Sequence, residues 1–148
     1  MPSTHLSLHY HVVFSTKERR ASIAGDWRPR LHDYLGGIVR ALGGKPHGIG
    51  GTADHVHILA GLRAADSLAS MVRKIKASSS GWIHQAIGSR YFAWQDGYGA
   101  FTICRSEVET VAEYIRAQEK HHRGRSFQEE YLELLRNCGI EFDERFLW

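Results

Sequence analysis

Two histidines bracket a valine at His55-Val56-His57. In a β-strand, residues two apart project from the same face, so these imidazoles leave the sheet side by side. Paired imidazoles can hold one divalent cation from neighbouring corners of its coordination shell. Asp54 stands directly before them and could serve as an outer partner that fixes the first ring. The same spacing also occurs on ordinary solvated strand faces. A second pair, His9-Tyr10-His11, competes for the metal; on a strand it points away from the apolar residues Tyr10, Val12 and Phe14, toward solvent. Two other H-x-H chemistries find no support. Leu59 stands where a histidine-triad hydrolase needs its third histidine, and no Asp-His pair follows within Leu59 to Leu62.

The second constellation lies downstream. The spacing predicts a helix over 107–122, buried through Val108, Val111, Ala112 and Ile115. Tyr114 and Gln118 are four apart along one edge of that stripe, and His121 continues the row. A tyrosine at such a border commonly just packs. A phenol can also act as a nucleophile, and an amide oxygen can ligate a hard cation. Tyr114 and Gln118 offer both, one helical turn apart.

Elements must bring these groups together. Leu6 to Ser15 alternates as a strand, and a basic turn follows. A helix is expected over 26–42, with Asp26 as its cap and Pro29 in its first turn. Lys45 to Ala53 reads as a short irregular strand and Asp54 to Leu62 as a clear one. A long helix over 67–87 buries Leu68, Met71, Val72, Ile75, Ser79 and Trp82. A strand over 100–104 follows the Asp96-Gly97 turn. Ser106-x-x-Glu109 and Ser126-x-x-Glu129 both read as capping boxes, opening the helix over 107–122 and a further one over 126–137. Arg123-Gly124-Arg125 separates the two. This order predicts an α+β unit with a ferredoxin-like split βαβ, a mostly antiparallel sheet with helices on one face, and a C-terminal tyrosine helix. We read 1–148 as one domain, with 126–148 as a C-terminal extension.

Composition bounds the function. The 148 residues are 43% hydrophobic, enough for a real core. No apolar run approaches the roughly 20 residues of a membrane helix, and the N-terminus lacks the pattern of a secretory signal. A cytoplasmic location is the expectation. Cys104 and Cys138 form no C-x-x-C pair and are read as reduced, small core residues. The formal net charge is +3 and the pI about 9.0. Basic residues gather at Lys17, Arg19 and Arg20, at Arg73, Lys74 and Lys76, and at Arg116, Lys120, Arg123 and Arg125. Such clusters suit phosphate contacts, and equally an ordinary solvated face. The first two are the candidate DNA-binding residues. Tyr91, Phe92, Trp94 and Tyr98 could stack on unpaired bases.

Four segments in order carry a resemblance that covers nearly the whole chain: H-Y-H-V-V-F-S-T-K-E-R-R from His9, D-H-V-H from Asp54, W-Q-D-G-Y-G-A-F-T-I from Trp94 and Y-I-R-A-Q-E-K-H-H from Tyr114. Together with the Lys-, Arg- and Ser-rich helix over 71–82, they resemble the HUH single-tyrosine transposases of the insertion-sequence-200 type. The resemblance implies that His55, His57 and Gln118 bind Mg²⁺ or Mn²⁺ and that Tyr114 is the nucleophile. Asp54 and His121 are auxiliary candidates. It implies cleavage and rejoining of single-stranded DNA at element ends through a 5′-phosphotyrosine, recognition of DNA hairpins, and a homodimer in which tyrosine helices can be exchanged. A domesticated relative processing repetitive palindromic DNA would share every one of these residues. A non-catalytic single-stranded nucleic-acid-binding domain and a water-using phosphoesterase are the alternatives from other classes.

Overall fold

A computed structural model describes residues 3–148. Four strands, β1 (His9–Ser15), β2 (Lys45–Gly51), β3 (His55–Gly61) and β4 (Gly99–Ile103), form one antiparallel sheet in the order β2-β3-β1-β4. The helices are α1 (Arg28–Ala41), α2 (Leu68–Trp82), α3 (Val108–Arg116), α4 (Gln118–His121) and α5 (Phe127–Asn137). Two parallel strands, β1 and β2, are thus split by β3, as the ferredoxin-like expectation requires.

Alternation along the central strands makes two different faces. Val12, Phe14, Val56, Ile58 and Ala60 point toward α1 and α2, where they join Leu31, Leu35, Val72 and Ile75 in the main core. Their sequence neighbours point the other way. Leu59 packs under Val108, Ala112 and Ile115 of α3, and Val13 and Phe101 pack under Phe127, Tyr131 and Leu135 of α5. The tyrosine helix and α5 therefore cover the face opposite α1 and α2. His55 and His57 share that second face, so the fold encloses them: both are fully buried.

Several local expectations need correction. α1 starts at Arg28, with Trp27 at the cap position and no side-chain cap. A turn closed by the amides of Trp27 and Arg28 on the Ala24 carbonyl precedes it, so Asp26 lies inside that turn. Ser106 does not cap α3, because Arg105–Glu107 is a 3₁₀ turn and its backbone is already helical where a cap must be extended. Ser67 and Ser126 do cap α2 and α5, accepting from the amides of Ser70 and Glu129. The tyrosine helix is broken at Ala117 (φ −95°, ψ 21°), which separates α3 from α4. Cys104 and Cys138 are exposed rather than buried, since one follows the end of β4 and the other caps α5. Phe142, Leu147 and Trp148 fold back onto the α5 cluster of the same chain.

The close approach of α3 to the sheet edge depends on glycine. A Cβ on Gly50 would lie well inside van der Waals contact of the Ile115 carbonyl oxygen, and one on Gly48 would press on Ala112 at 3.2 Å. The first obstacle is backbone, so the helix itself would have to move. Gly50→Ala should lower stability by roughly 1–3 kcal/mol in urea unfolding, as overpacking does; an unchanged midpoint would show that α3 yields freely.

Candidate metal and nucleophile site

The residues singled out by spacing do converge. His55 and His57 project from β3 beneath α3 and α4. Gln118, at the first position of α4, is buried, and its Oε1 lies 2.9 Å from His55 Nε2. The break at Ala117 keeps the four-residue relation: the Ala117 amide still reaches the Glu113 carbonyl, and the His121 amide the Ala117 carbonyl. Tyr114 is half-buried at the end of α3, its ring 6.1 Å from that of His57. All of these groups belong to one chain.

Three further residues complete the cluster; spacing had offered His11 only as part of a rival pair, and had assigned neither Glu130 nor His122. Glu130 of α5 is fully buried. One of its oxygens accepts the Tyr114 hydroxyl and, at 3.2 Å, the Gln118 amide. The other lies 2.8 Å from His57 Nε2 and 3.2 Å from His122 Nε2. His122, not His121, turns inward, and its Nε2 is also 3.0 Å from Gln118 Oε1. His121 instead packs its ring 4.6 Å from that of Tyr114 and is itself exposed. The third addition is His11, expected in solvent. It is buried, with Nε2 2.7 Å from His57 Nδ1. The tyrosine helix and α5 cover the sheet face that alternation gave to His11, which explains the reversal.

A signal for Glu130 was present in the sequence. Phe127, Tyr131, Leu134 and Leu135 define the apolar stripe of α5, and Glu130 falls within it. A carboxylate in an apolar stripe is costly unless it finds partners.

The electrostatics follow from burial. Desolvation works against the Glu130 carboxylate, but hydrogen bonds from His122 and His57 prevail and hold it well below the usual carboxylate range. Burial, then the hydrogen bond to Glu130, pushes the Tyr114 phenol up to about 12. Burial, then the neighbouring His57, lowers His11 to about 3, so that its imidazole is neutral.

The donor chemistry fits a divalent cation. His55 Nδ1 faces the Asp54 carboxylate at 2.8 Å, and His122 Nδ1 faces the Arg125 carbonyl at 2.7 Å. With the Nδ1 hydrogen of His55 given to Asp54, its Nε2 lone pair is aimed inward, whereas the Nε2 of His122 gives its hydrogen to Glu130 and would ligate an ion on releasing it. His55 Nε2 therefore meets an oxygen lone pair of Gln118, an arrangement that wants a positive charge between them. The ligand atoms of His55, His122 and Glu130 lie within 4.8 Å of one another. Neighbouring donor separations of 2.8 to 3.2 Å match the roughly 3 Å between adjacent ligands of an octahedral Mg²⁺-like ion. Asp54 then takes the place of an outer carboxylate on a ligating histidine.

The basic residues are not all brought to this site. Lys17, Arg19 and Arg20 follow β1 at the end nearest the histidines, since Ser15 pairs with His55. Glu18 and Arg19 there adopt left-handed backbone (φ 57° and 56°), uncommon without glycine. The Arg20 guanidinium pairs with Glu18, and that of Arg19 lies 5.0 Å from the Trp148 ring. Arg73, Lys74 and Lys76 lie on α2, across the sheet from the histidines. The Lys76 ammonium donates to the carbonyls of Gln95, Asp96 and Gly97. Phe92 and Trp94 are core residues, whereas Tyr91 is 93% and Tyr98 38% exposed. A groove of about 940 Å³ between α1 and α2 is mainly apolar and holds no comparable cluster of ligand side chains.

The family model described as "Transposase IS200 like" matches residues 4–118. No curated protein sequence matches the chain. Among solved structures, a proposed transposase from Deinococcus radiodurans R1 aligns with a TM-score of 0.64 at 20% identity, covering 78% of this chain and 94% of the other. A REP-associated tyrosine transposase bound to a REP hairpin aligns with a TM-score of 0.55 at 16% identity, covering 78% of this chain and 70% of that one. At such identities these two speak for the fold. A match over most of the chain carries the family, and the protein belongs to the IS200-like transposases.

Proposed function

We propose that this transposase cleaves and rejoins single-stranded DNA through a covalent link to Tyr114. The observation that carries the reading is the meeting, within one chain, of a phenol, a buried carboxylate and inward-facing imidazoles. Bound at His55, His57 and Gln118, with His122 and Glu130 within reach, Mg²⁺ or Mn²⁺ would polarise the scissile phosphate and offset charge on the leaving oxygen. The protein's own groups do the rest. Glu130 accepts the hydrogen bond of the Tyr114 hydroxyl and so orients the phenolic oxygen for attack on phosphorus, and the phenol's proton ends on the departing 3′ oxygen. A phosphotyrosine bond forms at the 5′ side and the 3′ oxygen leaves as a hydroxyl. Attack by another 3′ hydroxyl on that linkage rejoins the strand and returns the phenol. Arg125, which donates to the Tyr114 oxygen at 3.2 Å, steadies negative charge developing there.

The hairpin carried by the REP-associated neighbour supports a hairpin-bearing substrate, and Lys17, Arg19, Arg20, Arg73 and Lys74 remain the proposed phosphate contacts. Lys76 is the weakest of that set, because its ammonium is already engaged. No helix among the described residues is long and apolar enough to cross a membrane. We read 1–148 as one domain, since α5 supplies Glu130 to the site.

With Mn²⁺ and labelled single-stranded DNA from the flanks of the encoding gene, the parent protein should form a covalent adduct resistant to denaturant, and Tyr114→Phe none. Release of free product by Tyr114→Phe would instead mean that water is the nucleophile. Glu130→Gln should slow adduct formation by roughly 100-fold, the scale of a misplaced reacting group. A rate equal to the parent's would leave Glu130 a packing residue. Because the cluster closes within one chain, mixing His57→Ala with Tyr114→Phe protein should restore no adduct. Restoration would place the active unit across a homodimer, with tyrosine helices exchanged.

A further inference from the structure

A second groove lies beside the metal and nucleophile site. It has a volume of about 580 Å³ and runs between the first turns of α1, the end of β2 and α4. Arg28, Arg116, Lys120 and Arg123 line it, opposed by the single carboxylate of Glu119, with His32 between. Two of its polar atoms, Arg28 Nε and His32 Nε2, are closed to solvent and make no hydrogen bond. Arg28 is recessed, its side chain 14% exposed, and its two terminal nitrogens donate to Glu119 and to the Ile23 carbonyl, each at 2.8 Å, which fixes it as the floor of the groove.

The Arg28–Glu119 pair also forms part of the wall of a neighbouring groove of about 420 Å³, which reaches Asp54, His122 and Arg125. The two grooves therefore adjoin at Arg28 and Glu119, and the second reaches His122 and Arg125 at the rim of the nucleophile cluster. Four cations facing one carboxylate, in a groove that adjoins the rim of the proposed cleavage site, suit a chain of phosphates. A flexible single strand can lower a phosphate to a recessed guanidinium, whereas the fixed backbone of a duplex meets only the rims.

We propose that this cleft is a phosphate-binding channel for the single strand that leaves the Tyr114 site, with Lys120 and Arg123 as its entrance cations and Arg28 at its floor. The inference rests on the strand-transfer reading for its substrate, though not on the chemistry of cleavage. Lys120 and Arg123 are exposed, so their removal spares the fold.

The test is binding of an oligothymidylate of roughly 16 nucleotides to the full chain, measured across a salt series. For Lys120→Ala/Arg123→Ala, the slope of log affinity against log salt should shrink by about 0.7 per removed cation, the single-strand value. Arg40→Ala, an exposed charge outside both grooves, should leave the slope as it is. An unchanged slope for the double variant overturns the channel. So does an equal loss on a blunt duplex, which marks a general basic surface. The adduct assay run in parallel separates the two ideas. An adduct with an unchanged slope removes the channel alone. A shrunken slope without any adduct keeps the channel and removes the covalent chemistry.

Discussion

A fully buried carboxylate controls this structure. Glu130 has no water to solvate it, and an isolated charge in such a place would be strongly destabilising. It survives because imidazoles, a phenol and an amide surround it, and each comes from a different part of the chain: His57 from β3, Tyr114 from α3, Gln118 and His122 from α4 and the turn after it. Removing one partner leaves the others under-satisfied, so the group behaves as a unit. Holding it together requires α3 to lie close against the sheet edge and α5 to cross the same face.

Those two demands account for much of the remaining architecture. Gly48 and Gly50 thin the edge strand where α3 approaches. The α5 helix is held down by Phe127, Tyr131 and Leu135, and the chain end folds back so that Trp148 lies about 6 Å from the rings of Phe127 and Tyr131. The family match ends at residue 118, so Glu130 and its helix lie beyond the segment that carries the family resemblance. The C-terminal stretch is therefore part of how this chain completes its site.

The same site shows why charge count is a poor guide to a nucleic-acid surface. Lys76 belongs to a basic cluster by sequence, yet its ammonium is spent on three carbonyls. Arg116, Lys120 and Arg123 belong to another, and the fold sets them around a groove beside α4, next to one that reaches His122 and Arg125. What separates the two clusters is the face of the sheet on which each helix lands.

The sequence by itself determined the local periodicities. Alternation placed His55 and His57 on one face of β3, four-residue spacing put Tyr114 beside Gln118, and element order was enough for the ferredoxin-like sheet. These are short-range consequences of backbone geometry, so they can be read from neighbouring residues. Only the tertiary structure decided that His11 is buried, that His122 rather than His121 faces inward, and that Glu130 reaches the phenol. Each of those depends on which helix covers which face, a packing choice in which His57 must meet His11 and Glu130 across 46 and 73 positions of chain.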